Sequence, residues 1–303
     1  MKKKIIFIFI ILILVVGFDC IIGFFTNNAI LKVNDIGVNQ TNTVQAFFKR
    51  KADVLILGPS TANHHYNCKI IEDKLKMTCF NAGRDGQNII YNAMVLEGFL
   101  TRCTPRLVVL DITNSSLSDT WMSSLNELNC YYGFLKPIDN IIDSIGGVWD
   151  KYKRFSNIYR YNKTWEWLLK ARITKPTEDM NGYKPLEVKL VKGLYASVEE
   201  REFVLNELCL KYMNLIISKC REKGIYLIFV ISPSLVVDKG IFANEVVKLF
   251  ENRHVLCLNW NGDTAYTNHP ELFYDKTHLN ADGANRYTME FVQKVKCLLD
   301  KSL

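Results

Sequence analysis

The chain has no CxxC pair and no Cys/His spacing of the kind that holds zinc, although nine cysteines are spread over its 303 residues. A structural zinc module is thereby excluded. The glycine-bearing stretch Asn81–Asn88 lacks the Lys-Ser/Thr of a P-loop, and its glycines are wrongly spaced for a dinucleotide fingerprint. Dense basic clusters are scarce as well. The net charge of +7 falls to +4 once Lys2, Lys3 and Lys4 are set aside, and the remainder is scattered. The tightest group, Phe47-Phe48-Lys49-Arg50-Lys51, reads as a solvated face near lipid headgroups rather than a nucleic-acid contact. No nucleic-acid partner, metal or organic cofactor is expected.

What the chain does have begins at its N-terminus. Ile5 to Phe25 is an almost unbroken run of Ile, Leu, Val and Phe, about the 20 residues a bilayer-spanning helix needs. The three lysines before it place the N-terminus in the cytoplasm and the rest of the chain outside. A cleaved signal peptide would need small residues flanking the cut, and Gly17-Phe18-Asp19-Cys20 offers no A-x-A-like pair. The expectation is therefore an uncleaved anchor over residues 1–26, then a polar, irregular tether over 27–50, with the main domain filling 51–303. Outside the cytoplasm some cysteines could pair, for instance Cys68 with Cys79 or Cys103 with Cys130. Connectivity cannot be read from sequence, and apolar neighbours make several of these cysteines small buried filler.

From Lys51 onward strand and helix signals alternate. Val54–Leu57, Met77–Phe80, Leu107–Leu110, Ile225–Ile231 and Val255–Leu258 are short apolar runs of the kind covered on both faces. Helical periodicity separates them, over Gln87–Thr101, Ile241–Phe250 and Ala281–Leu299, and a capping-box spacing at Ser197-Val198-Glu199-Glu200 opens another helix. The pattern predicts a three-layer α/β/α domain on a parallel sheet of about five strands, in flavodoxin-like order. It breaks over about 115–196, an insertion rich in rings that includes Trp121, Tyr131, Trp149, Tyr152, Phe155, Tyr161, Trp165 and Trp167. Those rings are read as the insertion's own small core, the alternative being a sugar-stacking wall or partner surface.

In such sheets ligands gather at the carboxyl ends of the strands. Ser60, Gly86, Asn114 and Ser232 all follow predicted strands, and the Asp275–His278 segment follows the last. Ser60 is the candidate nucleophile, His278 the base, and Asp275, three residues earlier, the acid that orients the imidazole. Asn280 is expected to cap the final helix. His269 has no carboxylate three residues before it and is the poorer base. The Gly86 N–H is placed to face a developing oxyanion. Gly58-Pro59-Ser60-Thr61-Ala62 lacks the second glycine of a G-x-S-x-G elbow, which rejects an α/β-hydrolase.

Gly58-Pro59-Ser60, Asn81-x-Gly83-x-x-Gly86 and Asp275-x-x-His278 resemble, in this order, three conserved blocks of the SGNH/GDSL hydrolase superfamily. Gly58–Cys68 and Phe273–Ala284 are similar, more narrowly, to membrane-anchored SGNH proteins of teichoic-acid D-alanyl transfer and alginate O-acetylation. The resemblance implies Ser60, His278 and Asp275 as the catalytic residues and the Gly86 and Ser60 N–H groups as oxyanion donors. It also implies an esterase or O-acyltransferase acting on a cell-envelope polysaccharide beside a multi-spanning membrane O-acyltransferase. Two departures stand out: Pro59 occupies the usual aspartate position, and the Gly-x-Asn-Asp block is absent, leaving Asn114 to stand in for its side-chain donor. The competing expectation is a non-catalytic accessory that binds glycan or docks on the acyltransferase.

Overall fold

The structure, a computed structural model, describes residues 2–33, 39–117, 127–174, 180–188, 193–200, 205–239 and 241–302. Seven strands occur among them: Val54–Leu57 (β1), Cys79–Asn81 (β2), Leu107–Asp111 (β3), Ser197–Glu199 (β4), Tyr226–Ile231 (β5), Val236–Asp238 (β6) and Leu256–Asn259 (β7). Five form one sheet in the order β2-β1-β3-β5-β7, every pair parallel. Only crossover connections can join parallel neighbours, so helices cover both faces.

In chain order the helices before the insertion are Lys2–Lys32 (α1), Asn39–Phe48 (α2), Ser60–His65 (α3), Cys68–Leu75 (α4) and Ile89–Leu100 (α5). The insertion carries Lys136–Ile145 (α6), Val148–Lys153 (α7), Asn157–Arg160 (α8) and Thr164–Ile173 (α9). Glu207–Glu222 (α10), Ile241–Glu251 (α11), Thr264–Thr267 (α12) and Ala281–Ser302 (α13) complete the set. Because strand side chains alternate between faces, Leu55, Leu57, Val108, Leu110 and Phe229 pack with α2, α5, α10 and α11. Val54, Ile56, Val109, Ile228 and Val230 pack on the other side with α4 and α13.

Three expectations need correcting. The stretch read as a tether contains α2, whose Val44, Ala46 and Phe47 are fully buried in the core. Its polar residues are buried too, because they bind backbone: Asn42 Nδ2 donates to the carbonyls of Gly83 at 3.1 Å and Gly182 at 3.0 Å. Ser197–Glu199 opens no helix. It pairs in parallel with Val236–Asp238 as a small second sheet, and the next helix starts at Glu207, capped by the Asn206 side chain. The insertion's rings, finally, are split: Tyr131, Tyr161 and Trp167 are buried, whereas Trp149, Tyr152, Phe155 and Trp165 are exposed. Trp121 lies outside the described residues.

All nine cysteines are free thiols, and five are buried filler. Cys68 and Cys79 sit with sulfurs 3.2 Å apart, an unbonded contact, and burial pushes the Cys79 thiol well up. α1 is long and apolar enough, by length and composition, to cross a membrane.

The turn after β1 is tightly built. Gly58 has φ +143°, its N–H donates to Asn92 Oδ1 at 2.9 Å, and a Cβ there would lie 2.7 Å from the Asp111 carbonyl oxygen. Gly58→Ala is expected to cost about 2 kcal/mol or more. A thermal midpoint equal to wild type would refute that.

Candidate active site

Ser60 is the first residue of α3, directly after the Gly58-Pro59 turn that ends β1. His278 comes from the other end of the chain, in the loop between the short Pro270–Leu272 turn and α13. The fold brings them together: His278 Nε2 lies 2.7 Å from Ser60 Oγ. On its far side, His278 Nδ1 is 2.8 Å from Asp275 Oδ2 and 3.0 Å from Oδ1. Asp275 also accepts from the backbone N–H groups of Thr277 and His278, each at 2.8 Å. Burial alone would raise the Asp275 carboxyl. The hydrogen bonds from His278 and Thr277 outweigh it and hold the group below the usual carboxylate range.

This is the acid-imidazole-hydroxyl relay expected from the sequence. An ionised carboxylate on Nδ1 keeps the proton there, which leaves Nε2 as the acceptor facing the serine.

The loop that carries His278 is pinned on several sides. Phe273 and Leu279 form an antiparallel bridge, the Tyr274 N–H donates to the His278 carbonyl at 2.8 Å, and Leu279 is fully buried. Asn280 caps α13, accepting from the Gly283 N–H at 3.0 Å, while its amide donates to the Glu271 carbonyl at 2.7 Å. His269 is elsewhere, half-buried and paired with Glu271 at 2.8 Å.

Neighbouring histidines, to which the sequence reading assigned no role, complete the support. His65, on α3, is fully buried and accepts the Leu279 N–H on Nε2 at 3.0 Å. Burial first, then the nearby His278 and His64, push its imidazole well below the ordinary range, so it is neutral and able to accept. His64 places its ring edge-to-face with His278, centroids 5.7 Å apart, and its Nε2 lies 3.2 Å from Asp85. The signal was available as two consecutive histidines one helical turn after the serine.

The Asn81–Gly86 turn is joined to α3. Asn81 Nδ2 donates to the Ala62 carbonyl at 2.7 Å, and its Oδ1 accepts the Gly83 N–H at 2.9 Å. Gly86 and Asn114 both line the cavity that also contains Ser60 and His278, about 340 Å³ in volume. Its remaining wall sets hydroxyl and amide groups (Thr61, Gln87, Thr113, Ser115, Ser232, Ser234, Asn261) among a larger share of apolar surface, which includes Ile112, Ile231, Val236 and Phe242. Among the described residues no lysine or arginine lines it, and Asp238 is its one carboxylate. Among the described residues no group of three or more His, Cys, Asp or Glu side chains is placed to hold a metal ion.

Beneath the cavity lies a buried carboxylate. Asp111, at the end of β3, accepts from Thr61 at 2.5 Å, from Tyr66 at 2.6 Å and from Ser232.

The chain matches no protein-family model and no curated protein.

Proposed function

We propose that the protein is a membrane-anchored, extracytoplasmic serine esterase or O-acyltransferase of the SGNH type, acting on acyl esters of a cell-envelope polysaccharide. The observation that carries this reading is the continuous Ser60–His278–Asp275 relay. Numbered within the main sheet, the strand order is 2-1-3-4-5, which is the flavodoxin-like order and supports the finer fold assignment. The site opens beside β1 and β3, where that order reverses.

In the first step Ser60 Oγ attacks the acyl carbonyl carbon while His278 Nε2 takes the hydroxyl proton. Charge on the carbonyl oxygen develops toward the Gly86 and Ser60 N–H groups and the Asn114 amide. The bond to the departing sugar oxygen then breaks, and that oxygen receives the proton from His278. Water or a second sugar hydroxyl resolves the acyl-serine by the same steps in reverse. A mostly apolar cavity with interspersed hydroxyls and amides suits an acyl group carried on a hydroxylated substrate.

Retention of α1 as an anchor is supported by its outer half, where Gly23, Thr26 and Ile30 are buried against the domain. A cut after Gly23 would strip packing from the fold. Positive residues before the span favour a cytoplasmic N-terminus, and the natural partner is a multi-spanning membrane acyltransferase that supplies or receives the acyl group.

Labelling the purified full chain with a serine-reactive phosphonate tests the reading, with modification expected at Ser60. A folded protein whose Ser60 stays unlabelled would instead be a non-catalytic accessory. Asp275→Asn, which removes the anionic partner and alters the tautomer, is expected to lower kcat on a chromogenic acetyl ester by about 10³–10⁴-fold. A loss below tenfold would mean that Asp275 does not orient the base.

A further inference from the structure

Asp19 is the one carboxylate inside the apolar run of α1, and its partners come from the insertion. It accepts from the Asn157 N–H at 2.8 Å, the Ile158 N–H at 2.9 Å, the Ser156 hydroxyl at 2.9 Å and the Asn157 side-chain amide at 2.9 Å. The start of α8 therefore closes on the side of α1. Gly23 permits it, since a Cβ there would lie 2.5 Å from the Asn157 side chain. One turn further on, Tyr161 donates to Asn27.

The depth of this contact follows from helix geometry. From Ile5 to Asp19 is about 21 Å at 1.5 Å per residue, short of the roughly 30 Å of a hydrocarbon core. A span starting at Ile5 must run to about Phe24 to cross. Asp19 then lies about 9 Å inside the outer hydrocarbon boundary, by the same rise per residue. Whatever holds Asp19 must reach that depth. In lipid each backbone N–H needs a partner, and here the first N–H groups of α8 find theirs in Asp19 and Ser156.

The surface around this contact has a matching composition. Among the described residues outside α1, eleven large apolar side chains are exposed, and eight of them fall between Val148 and Ile173. They include Trp149 at 76%, Phe155 at 82% and Ile173 at 71% exposure, and α8 and α9, which carry some of them, pack against α1. Trp165 and Leu169 border a groove of about 480 Å³ between α9 and the end of α1. Lys32 and Arg172 line the same groove, and Lys32 stands about 10 Å beyond the hydrocarbon boundary, at phosphate height. Exposed tryptophans and aliphatics with cations beside them form the composition of an element lying in one leaflet.

We infer that α7–α9 form a foot seated in the outer leaflet beside α1, so that the domain is held to the bilayer at two points and not only by its anchor. The inference rests on reading α1 as a retained membrane span. A single flexible span would let the active site swing, whereas a seated foot fixes its direction relative to the membrane surface.

Trp149 and Trp165 serve as native probes. The full chain is reconstituted into phosphatidylcholine/phosphatidylglycerol nanodiscs, with and without lipid brominated near the headgroup end of its acyl chains. Wild type and a Trp149→Phe/Trp165→Phe double variant, which keeps the surface apolar, are compared. Quenching by brominated lipid is expected to be at least about twofold greater in wild type. Equal quenching in a chain that co-fractionates with the discs overturns the foot and leaves the anchor standing. Acrylamide quenching of the same tryptophans would then show water on that face, and protection from both quenchers would show a protein. A chain that does not enter the discs overturns the anchor and the foot together.

Discussion

Replacing Ser60 by alanine, or His278 by alanine, is expected to reduce ester turnover by about 10⁴-fold or more, with little change in thermal midpoint. The size follows from their acting as one unit: the hydroxyl is a poor nucleophile until Nε2, 2.7 Å away, accepts its proton. Losing either partner forfeits the whole relay, so the double variant should be hardly slower than either single one. Stability is spared because the Ser60 hydroxyl contacts His278 at a partly exposed rim, not in the core. The decisive measurement is initial rate on a chromogenic acetyl ester for the three variants at one pH. Additive losses in the double variant would mean that the two residues serve separate purposes, and retained turnover in Ser60→Ala would move the nucleophile elsewhere.

The relay was legible because its parts sit where sequence signals are strongest. Val54–Leu57 is a four-residue apolar run, so the sequence places Ser60 at a strand end. The Asp275-x-x-His278 spacing closes its own hydrogen bond within one loop, a local event that a short motif captures. β1 and β3 were readable for the same reason, being apolar Val, Ile and Leu runs buried on both faces, and most of β5 is alike.

What escaped reading depends on distant partners. Thr41, Asn42, Thr43 and Gln45 give α2 the look of a polar linker, yet all four are buried. Their groups bond to neighbours such as the Gly83 carbonyl and Tyr91, which pattern rules cannot anticipate. β4 is three residues long, too short to show alternation, and a capping-box spacing outweighed it. The insertion's rings could not be sorted into core and surface, because aromatic content alone does not say which side of a helix is covered. His65 and Asp111 were hidden likewise, since their roles lie in contacts with residues at positions 279, 61, 66 and 232.

Asp111 supports the second large prediction, on stability and its pH dependence. The carboxyl is fully buried and ties β3 to α3 through Thr61, to Tyr66 just beyond α3, and to the end of β5 through Ser232. Tyr66 is bonded in turn to Tyr287 of α13 at 3.0 Å. Asp111→Leu removes an acceptor shared by three buried hydroxyls and is expected to cost about 3–5 kcal/mol. Burial pushes the carboxyl up to about 6, against the hydrogen bonds from Ser232, Thr61 and Tyr66 that favour its ionised form. A folded value above the ordinary 3.8 means that the native state binds the proton more tightly than the unfolded chain. Its contribution is then fully present below about pH 4 and is lost as pH rises through about 6, a change of about 3 kcal/mol. Other carboxylates work the opposite way, Asp275 among them, because its lowered value favours the fold as pH rises. The contribution of Asp111 is isolated by comparison with Asp111→Asn, which does not titrate. Across unfolding curves between pH 4 and 7, the stability of wild type relative to Asp111→Asn should be greatest at the acid end and shrink through pH 6. A constant difference over that range would show that the buried carboxyl keeps one protonation state throughout. The pairing of β3 with α3 would then rest on a permanent charge rather than on a shared proton.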